Sequence, residues 1–231
     1  MAETTFNYSN LIDEGDCIAL GDIHGCYDQF AQFLDWVKGS GARVILLGDL
    51  LDRGPNDLGV LEIVRDLIQD PDSWGLESFI SLRGNHETIF LNAVDGFGWT
   101  DWVRNGGDWE NFEKLKPHAE WLRELPYFAK VGNTLFTHSG GIYGENPQKF
   151  MHSETLREEF VWSRHASRNG SGLVLWSNTL TRSVFGHTPR KDGKPYEVGN
   201  SICVDSGCYF SGVLTAYNST QHTFKSFTLP G

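Results

Sequence analysis

Five short apolar runs in this chain each stop abruptly at carboxylate, amide or imidazole side chains. They are Cys17-Ile-Ala-Leu before Gly21-Asp22, Val44-Ile-Leu-Leu before Gly48-Asp49, Phe79-Ile-Ser-Leu before Arg83-Gly-Asn-His, Thr134-Leu-Phe before Thr137-His138, and Ser183-Val-Phe before Gly186-His187. Runs this short suit buried strands rather than helices. Each therefore reads as a strand that delivers polar groups at its C-terminal end.

The intervening segments carry the helical period. Phe30, Phe33, Leu34 and Val37 fall at i, i+3, i+4, i+7, with Gly39 and Gly41 placed to close the helix. Leu58, Leu61, Val64, Leu67 and Ile68 repeat that period until Asp70-Pro71. The pattern is βαβαβ, which implies parallel strands with helical crossovers and a site outside their carboxyl ends. Residues from Ser201 onward, with Val213-Leu-Thr-Ala-Tyr and Thr223-Phe-Lys-Ser-Phe, suggest antiparallel strands that close the fold. The aromatic, glycine-rich stretch Trp99 to Trp109 lacks a clear period and reads either as an insertion beside the site or as a surface loop.

At 231 residues, 39% hydrophobic and 13% aromatic, the chain can bury a substantial core, and no linker, repeat or low-complexity tract divides it. One α/β domain over residues 1–231 is expected, as a monomer or weak oligomer. No apolar stretch reaches the roughly 18 residues that cross a bilayer, and the first ten residues lack the segments of a secretion signal. A cytoplasmic location without membrane contact is expected. The net charge of −11 argues against a nucleic-acid partner, so a phosphorylated substrate must be held by local cations. Cys17, Cys26, Cys203 and Cys208 lack metal-knuckle spacing and are expected as thiols.

Asp22, His24, Asp49, Asp52, Asn85, His86, His138 and His187 all fall at or just past strand ends, so this fold brings them to one edge. Carboxylate, imidazole and amide donors without a thiolate suit Mn²⁺, Fe²⁺ or Zn²⁺ and disfavour a structural zinc site. Glycines beside them let the chain turn sharply there. His118, His152, His165 and His222 match no motif, and most of them are expected on the surface or in loops.

Gly21-Asp22-Ile-His24-Gly25, Gly48-Asp49-Leu-Leu-Asp52-Arg53-Gly54, Arg83-Gly84-Asn85-His86-Glu87, Thr137-His138-Ser139-Gly140-Gly141 and Gly186-His187-Thr188 resemble, in this order, the signature of the calcineurin-like metallophosphoesterases. Within that family they look most like the phosphoprotein phosphatase branch, and the layout is similar to its small bacterial and phage members. The resemblance covers about residues 17 to 210. Ser139 stands where many eukaryotic relatives have glycine, which leaves the histidine intact.

The resemblance implies a four-layer αββα sandwich, two mixed β-sheets between helical layers. It also implies two divalent metal ions, most simply Mn²⁺ with iron or zinc as alternatives. Asp22, His24 and Asp49 would hold one, and Asp49, Asn85, His138 and His187 the other, with Asp49 as the bridge. Such a pair lowers the pKa of a shared water, so hydroxide is available to attack phosphorus in line. His86, oriented and kept charged by Asp52, would then protonate the departing alkoxide. Arg53 and Asn85 are expected on the substrate phosphate, where an arginine fork matches two oxygens, and Arg83 either joins them or makes a structural ion pair below the site. Trp162-Ser-Arg164 resembles the segment that brings a further phosphate-binding arginine to the site. The implied substrate is phosphoserine or phosphothreonine in a protein or peptide, with phosphotyrosine open.

Symmetrical dinucleoside tetraphosphate hydrolases share the fold, the two-metal site and an opening like Gly21 to Asp28. Their motifs tend to differ at Asp52, Glu87 and Thr188. Asp52 matters most: a nucleotide phosphate leaves readily, whereas a serine alkoxide needs an oriented acid. A third reading, a catalytically silent scaffold, is disfavoured because every implied ligand is present.

Overall fold

The computed structural model describes residues 11–12, 17–140, 154–164 and 180–229. After a two-residue strand, β1 (Leu11–Ile12), the first three apolar runs form β2 (Cys17–Leu20), β3 (Arg43–Leu46) and β4 (Ser78–Ser81). These pair in parallel, with Ala19 opposite Ile45 and Ile45 opposite Ile80. The crossovers are α1 (Tyr27–Val37) and α2 (Asp57–Gln69). Phe30, Phe33, Leu34 and Val37 are the buried stripe of α1, and each such side chain contributes roughly 1.5–3 kcal/mol on burial. Helix α2 starts where Asn56 Oδ1 accepts the Gly59 N–H at 2.9 Å and ends before Pro71, which has no N–H to continue the ladder.

Four helices follow β4: α3 (Asn85–Val94), α4 (Trp99–Arg104), α5 (Phe112–Leu115) and α6 (Ala119–Arg123). Helix α4 corrects the reading of its segment as aperiodic. Six residues make fewer than two turns, too few for a period to show. Aromatic contacts hold it, with the Trp99 ring 5.2 Å from Trp102 and 4.7 Å from Phe112. His118 is buried too, against expectation, and its Nδ1 accepts the Trp121 indole N–H at 3.1 Å.

The second sheet comprises β5 (Phe128–Val131), β6 (Thr134–Thr137), β7 (Arg182–Phe185), β8 (Tyr196–Val198) and β9 (Ser201–Cys203) with β1, in the order β1-β5-β6-β7-β9-β8. Helix α7 (Glu154–Trp162) covers its outer face, where Phe160 stacks on Phe128 at 5.5 Å. Past β9 lie the one-turn α8 (Cys208–Ser211) and the hairpin β10 (Val213–Asn218) and β11 (Thr223–Thr228), which completes the first sheet as β11-β10-β2-β3-β4. The hairpin is antiparallel as expected, but β9 runs parallel to β7 and antiparallel only to β8.

The chain is thus an α/β sandwich of two mixed sheets flanked by helices. Strand period explains both cores. Along β2 and β3, Cys17, Ala19 and Ile45 face the other sheet, while Ile18, Leu20, Val44 and Leu46 face the helices. None of the described helices is long and apolar enough to cross a membrane.

Candidate active site

The sandwich topology turns the C-terminal ends of β2, β3, β4, β6, β7 and β9 toward one edge. A cleft of about 260 Å³ opens there, lined by Asp22, His24, Asp49, Arg53, Asn85, His86, Arg164 and His187, and by Asn105, Trp162, Asp205 and Tyr209. His138 and Asp52 lie just behind this lining, both fully buried.

The loops that carry these groups are strained. His24, Asp49, Asp52, Arg53 and His187 adopt positive φ of 47°, 53°, 72°, 76° and 65°. Such geometry costs L-residues roughly 1–2 kcal/mol each and persists only where surrounding bonds impose it. Glu87 supplies three of those bonds: its carboxylate accepts the N–H groups of Gly84, Asp49 and Leu50 at 2.7, 3.0 and 2.7 Å. Gly48 is equally constrained at φ 96°, where a Cβ would stand 2.6 Å from the Gly84 nitrogen.

Two groups of donor atoms converge, His24 with Asp49 and His86, and Asp49 with His138 and His187, each within a 4.8 Å span. Asp49 belongs to both, the position expected of a bridge. Asn85 Oδ1 lies 3.0 Å from His138 Nε2 and so borders the second group. Asp22 lines the same cleft outside these two groups, its carboxylate accepting the His187 N–H at 3.0 and 3.2 Å and facing Asp205. His86 Nε2 stands 4.0 Å from Asp49 Oδ2.

Burial dominates the electrostatics. It pushes Asp22 well above the ordinary carboxylate range and Asp49 and Asp205 up to about 6. It holds His24 well below its usual value and His138 down at about 4. Clustered buried carboxylates call for positive charge, and neutral imidazoles offer lone pairs to a cation. His187 Nε2 is buried with no hydrogen-bond partner, which leaves its lone pair available. The donor set therefore fits divalent metal ions.

Beside this cluster, His86 Nδ1 and Asp52 Oδ2 are hydrogen-bonded at 2.7 Å. The indole N–H of Trp102 donates to the other carboxylate oxygen, Asp52 Oδ1, at 2.8 Å. Asp52 is thus clamped at both oxygens, and His86 Nε2 is left buried without a partner. Burial favours the neutral form of each partner, raising Asp52 and lowering His86. The 2.7 Å contact fixes the ring of His86 by its Nδ1 and aims Nε2 away from Asp52.

The arginines separate. Arg53 lines the cleft, its Nη1 2.8 Å from His24 Nε2 and its guanidinium 4.8 Å from the Tyr209 ring centroid. Arg164 lines it as well. Arg83 does not: its guanidinium donates to Tyr127 Oη and Leu122 O, both at 2.9 Å, and ties the end of β4 to the segment before β5. Of the two roles weighed for Arg83, these contacts match the structural one, with neutral partners in place of an ion pair.

Four contributors escaped the sequence reading: Glu87 as the brace of the Asp49 loop, Trp102 as the partner of Asp52, Tyr209 as a wall, and Asp205. The last had a signal, since Ile202-Cys-Val-Asp205 repeats the pattern of an apolar run ending in a carboxylate. Taking β9 as antiparallel hid it.

The sequence profile described as "Calcineurin-like phosphoesterase" matches residues 17–215. Serine/threonine-protein phosphatase 1 of Salmonella typhimurium is 31% identical over 208 residues, covering 85% of this chain and 88% of that protein. An asymmetrical bis(5'-nucleosyl)-tetraphosphatase, PrpE of Halalkalibacterium halodurans, is 24% identical over 90% of this chain and 91% of its own length. Among solved structures, a putative diadenosine tetraphosphatase superposes with a TM-score of 0.64 at 21% identity, covering 95% of this chain and 98% of that one.

Proposed function

The chain belongs to the calcineurin-like phosphoesterase family, and from that footing we propose that it removes phosphate from serine or threonine side chains of a protein or peptide. The observation that carries this reading is the clamped His86–Asp52 pair, with a free ring nitrogen on His86. A serine or threonine alkoxide is a poor leaving group, and an oriented acid accelerates its departure by about 10²–10⁴-fold. A relative named as a serine/threonine-protein phosphatase at 31% identity supports the same choice.

In this proposal Asp22, His24, Asp49, Asn85, His138 and His187 hold two divalent cations, Mn²⁺ being the simplest pair for these donors. When bound, the cations polarise a phosphoryl oxygen and acidify water. The protein's own groups do the rest. Arg53 and Arg164 neutralise and orient the phosphate from the cleft walls. His24 Nε2 cannot serve both a cation and Arg53, so a ligating His24 would leave the Arg53 fork free for phosphate. Asp52 holds the His86 ring by Nδ1, and Nε2 hands its proton to the leaving oxygen.

A second reading, hydrolysis of a dinucleoside tetraphosphate, has its own support. Trp162 and Tyr209 line the cleft with about 43% of each residue exposed, surfaces on which a base can stack. The PrpE relative points the same way. Rates on a phosphoserine peptide and on diadenosine tetraphosphate, measured at equal enzyme under Mn²⁺, separate the two. The first reading expects faster hydrolysis of the peptide, and a strong preference for the dinucleotide overturns it. Failure of the Mn²⁺-loaded protein to cleave p-nitrophenyl phosphate would leave only a scaffold role.

A further inference from the structure

Cys26 and Cys208 take no part in the chemistry above, yet the fold brings them together beside it. Cys26 stands at the N-terminus of α1, two residues past His24, and Cys208 opens α8 next to Tyr209. Contacts bracket the pair on both sides. The rings of His24 and Tyr209 meet edge to face with centroids 5.3 Å apart, and Gln29 Nε2 donates to Gly212 O at 3.2 Å. Between these two clamps both thiols lie in the same buried cluster. Both are reduced, with 5% and 2% of the residue exposed. Cys203, by contrast, points its sulfur at the carbonyl oxygens of Thr188 and Gly186.

We propose that Cys26 and Cys208 form an oxidisable dithiol, which hydrogen peroxide closes to a disulfide and which thereby couples oxidation to the cleft. The steps balance. One sulfur attacks a peroxide oxygen, the O–O bond breaks, and a sulfenic acid forms as the first water leaves. The second thiol attacks that sulfur, the S–S bond forms, and the sulfenic oxygen departs as the second water. Two electrons pass from the sulfurs to peroxide, and both thiol protons end in water. Burial selects the oxidant: peroxide is small enough to reach the pair, whereas a glutathione disulfide is not.

The coupling follows from the neighbours. A disulfide holds its sulfurs at about 2.05 Å, well inside a non-bonded contact. Closing the bond draws the start of α8 toward α1, and Tyr209 moves with it. That ring packs on both Arg53 and His24, so one covalent bond displaces two cleft groups. Misplacing such groups by about 1 Å can cost about 10²-fold in rate.

The test treats Mn²⁺-loaded protein with hydrogen peroxide, blocks remaining thiols, and reads the digest by mass spectrometry alongside p-nitrophenyl phosphate turnover. A Cys26–Cys208 cross-linked peptide is expected, with a loss of turnover of about tenfold or more that a phosphine reductant restores. Cys208→Ser and Cys26→Ala are each expected to keep basal turnover and to resist peroxide. The cross-link is read without any substrate, so its absence sinks this proposal while leaving the assigned reaction untouched. Equal peroxide sensitivity of Cys208→Ser and the parent protein would overturn it, as would a cross-link that leaves turnover unchanged.

Discussion

The two sheets contribute to the cleft in unlike ways. Loops from the five-stranded sheet are tied to one another: Glu87 gathers three backbone N–H groups, Asp49 Oδ1 accepts the His86 N–H at 2.9 Å, and Trp102 clamps Asp52. Groups from the six-stranded sheet are instead tied across to that first set. His138 Nδ1 donates to Leu47 O at 2.8 Å, the His187 N–H donates to Asp22, and Asp205 contacts Asp22. One sheet builds a template, and the other docks imidazoles onto it. Damage to the template should therefore spread, while damage to the docked side should stay local.

The sharpest blow falls on Asp49, which belongs to both donor groups. Asp49→Ala should abolish metal uptake and lower turnover by about 10³-fold or more, read by elemental analysis and p-nitrophenyl phosphate hydrolysis. His86→Asn should lower kcat on a phosphoserine peptide by about 10²–10⁴-fold yet keep the metal. Its effect on p-nitrophenyl phosphate should be smaller, because that leaving group needs no proton; loss of metal from this variant would contradict the role of His86.

On the docked side, His187→Ala should weaken metal affinity in a titration by more than the roughly 10–100-fold that loss of an outer-shell partner costs, with an unchanged melting temperature in metal-free buffer. A large drop in melting temperature there would break the contrast. Trp102→Phe keeps the ring but strips the N–H from Asp52 Oδ1, at a cost of about 1–3 kcal/mol and about tenfold in kcat, with KM unmoved. Mildest for turnover is Glu87→Gln, which removes the charge that three N–H groups share. Denaturant unfolding should show it less stable by about 1–3 kcal/mol, and a cycle with His187→Ala should be additive if the template and the docked side are separate.

The template was the more legible half, and the physics says why. Asp22, His24, Asp49, Asn85 and His86 follow parallel strands whose crossovers are short and periodic, so strand, helix and site could be read from one pattern. His138 and His187 follow the same rule, and they reach the same edge because β6 and β7 are parallel. Asp205 obeyed the rule as well, but the direction of β9 is set by pairing with β7, a long-range choice that local pattern does not carry. Trp102 and Arg83 are less legible for another reason. Where an indole or a guanidinium points depends on which neighbour offers a partner, and Asp52 and Tyr127 lie far from them in the chain.

The left-handed backbone at His24, Asp49, Asp52, Arg53 and His187 has a consequence for how this protein can change. Glycine would relax each of these positions, so the mutation that most eases the backbone at each is also the one that deletes a side chain the proposed chemistry uses. Stability and catalysis pull against each other along this one edge. A library screened for heat resistance alone should therefore drift toward inert variants there, while positions in the two cores improve without that conflict.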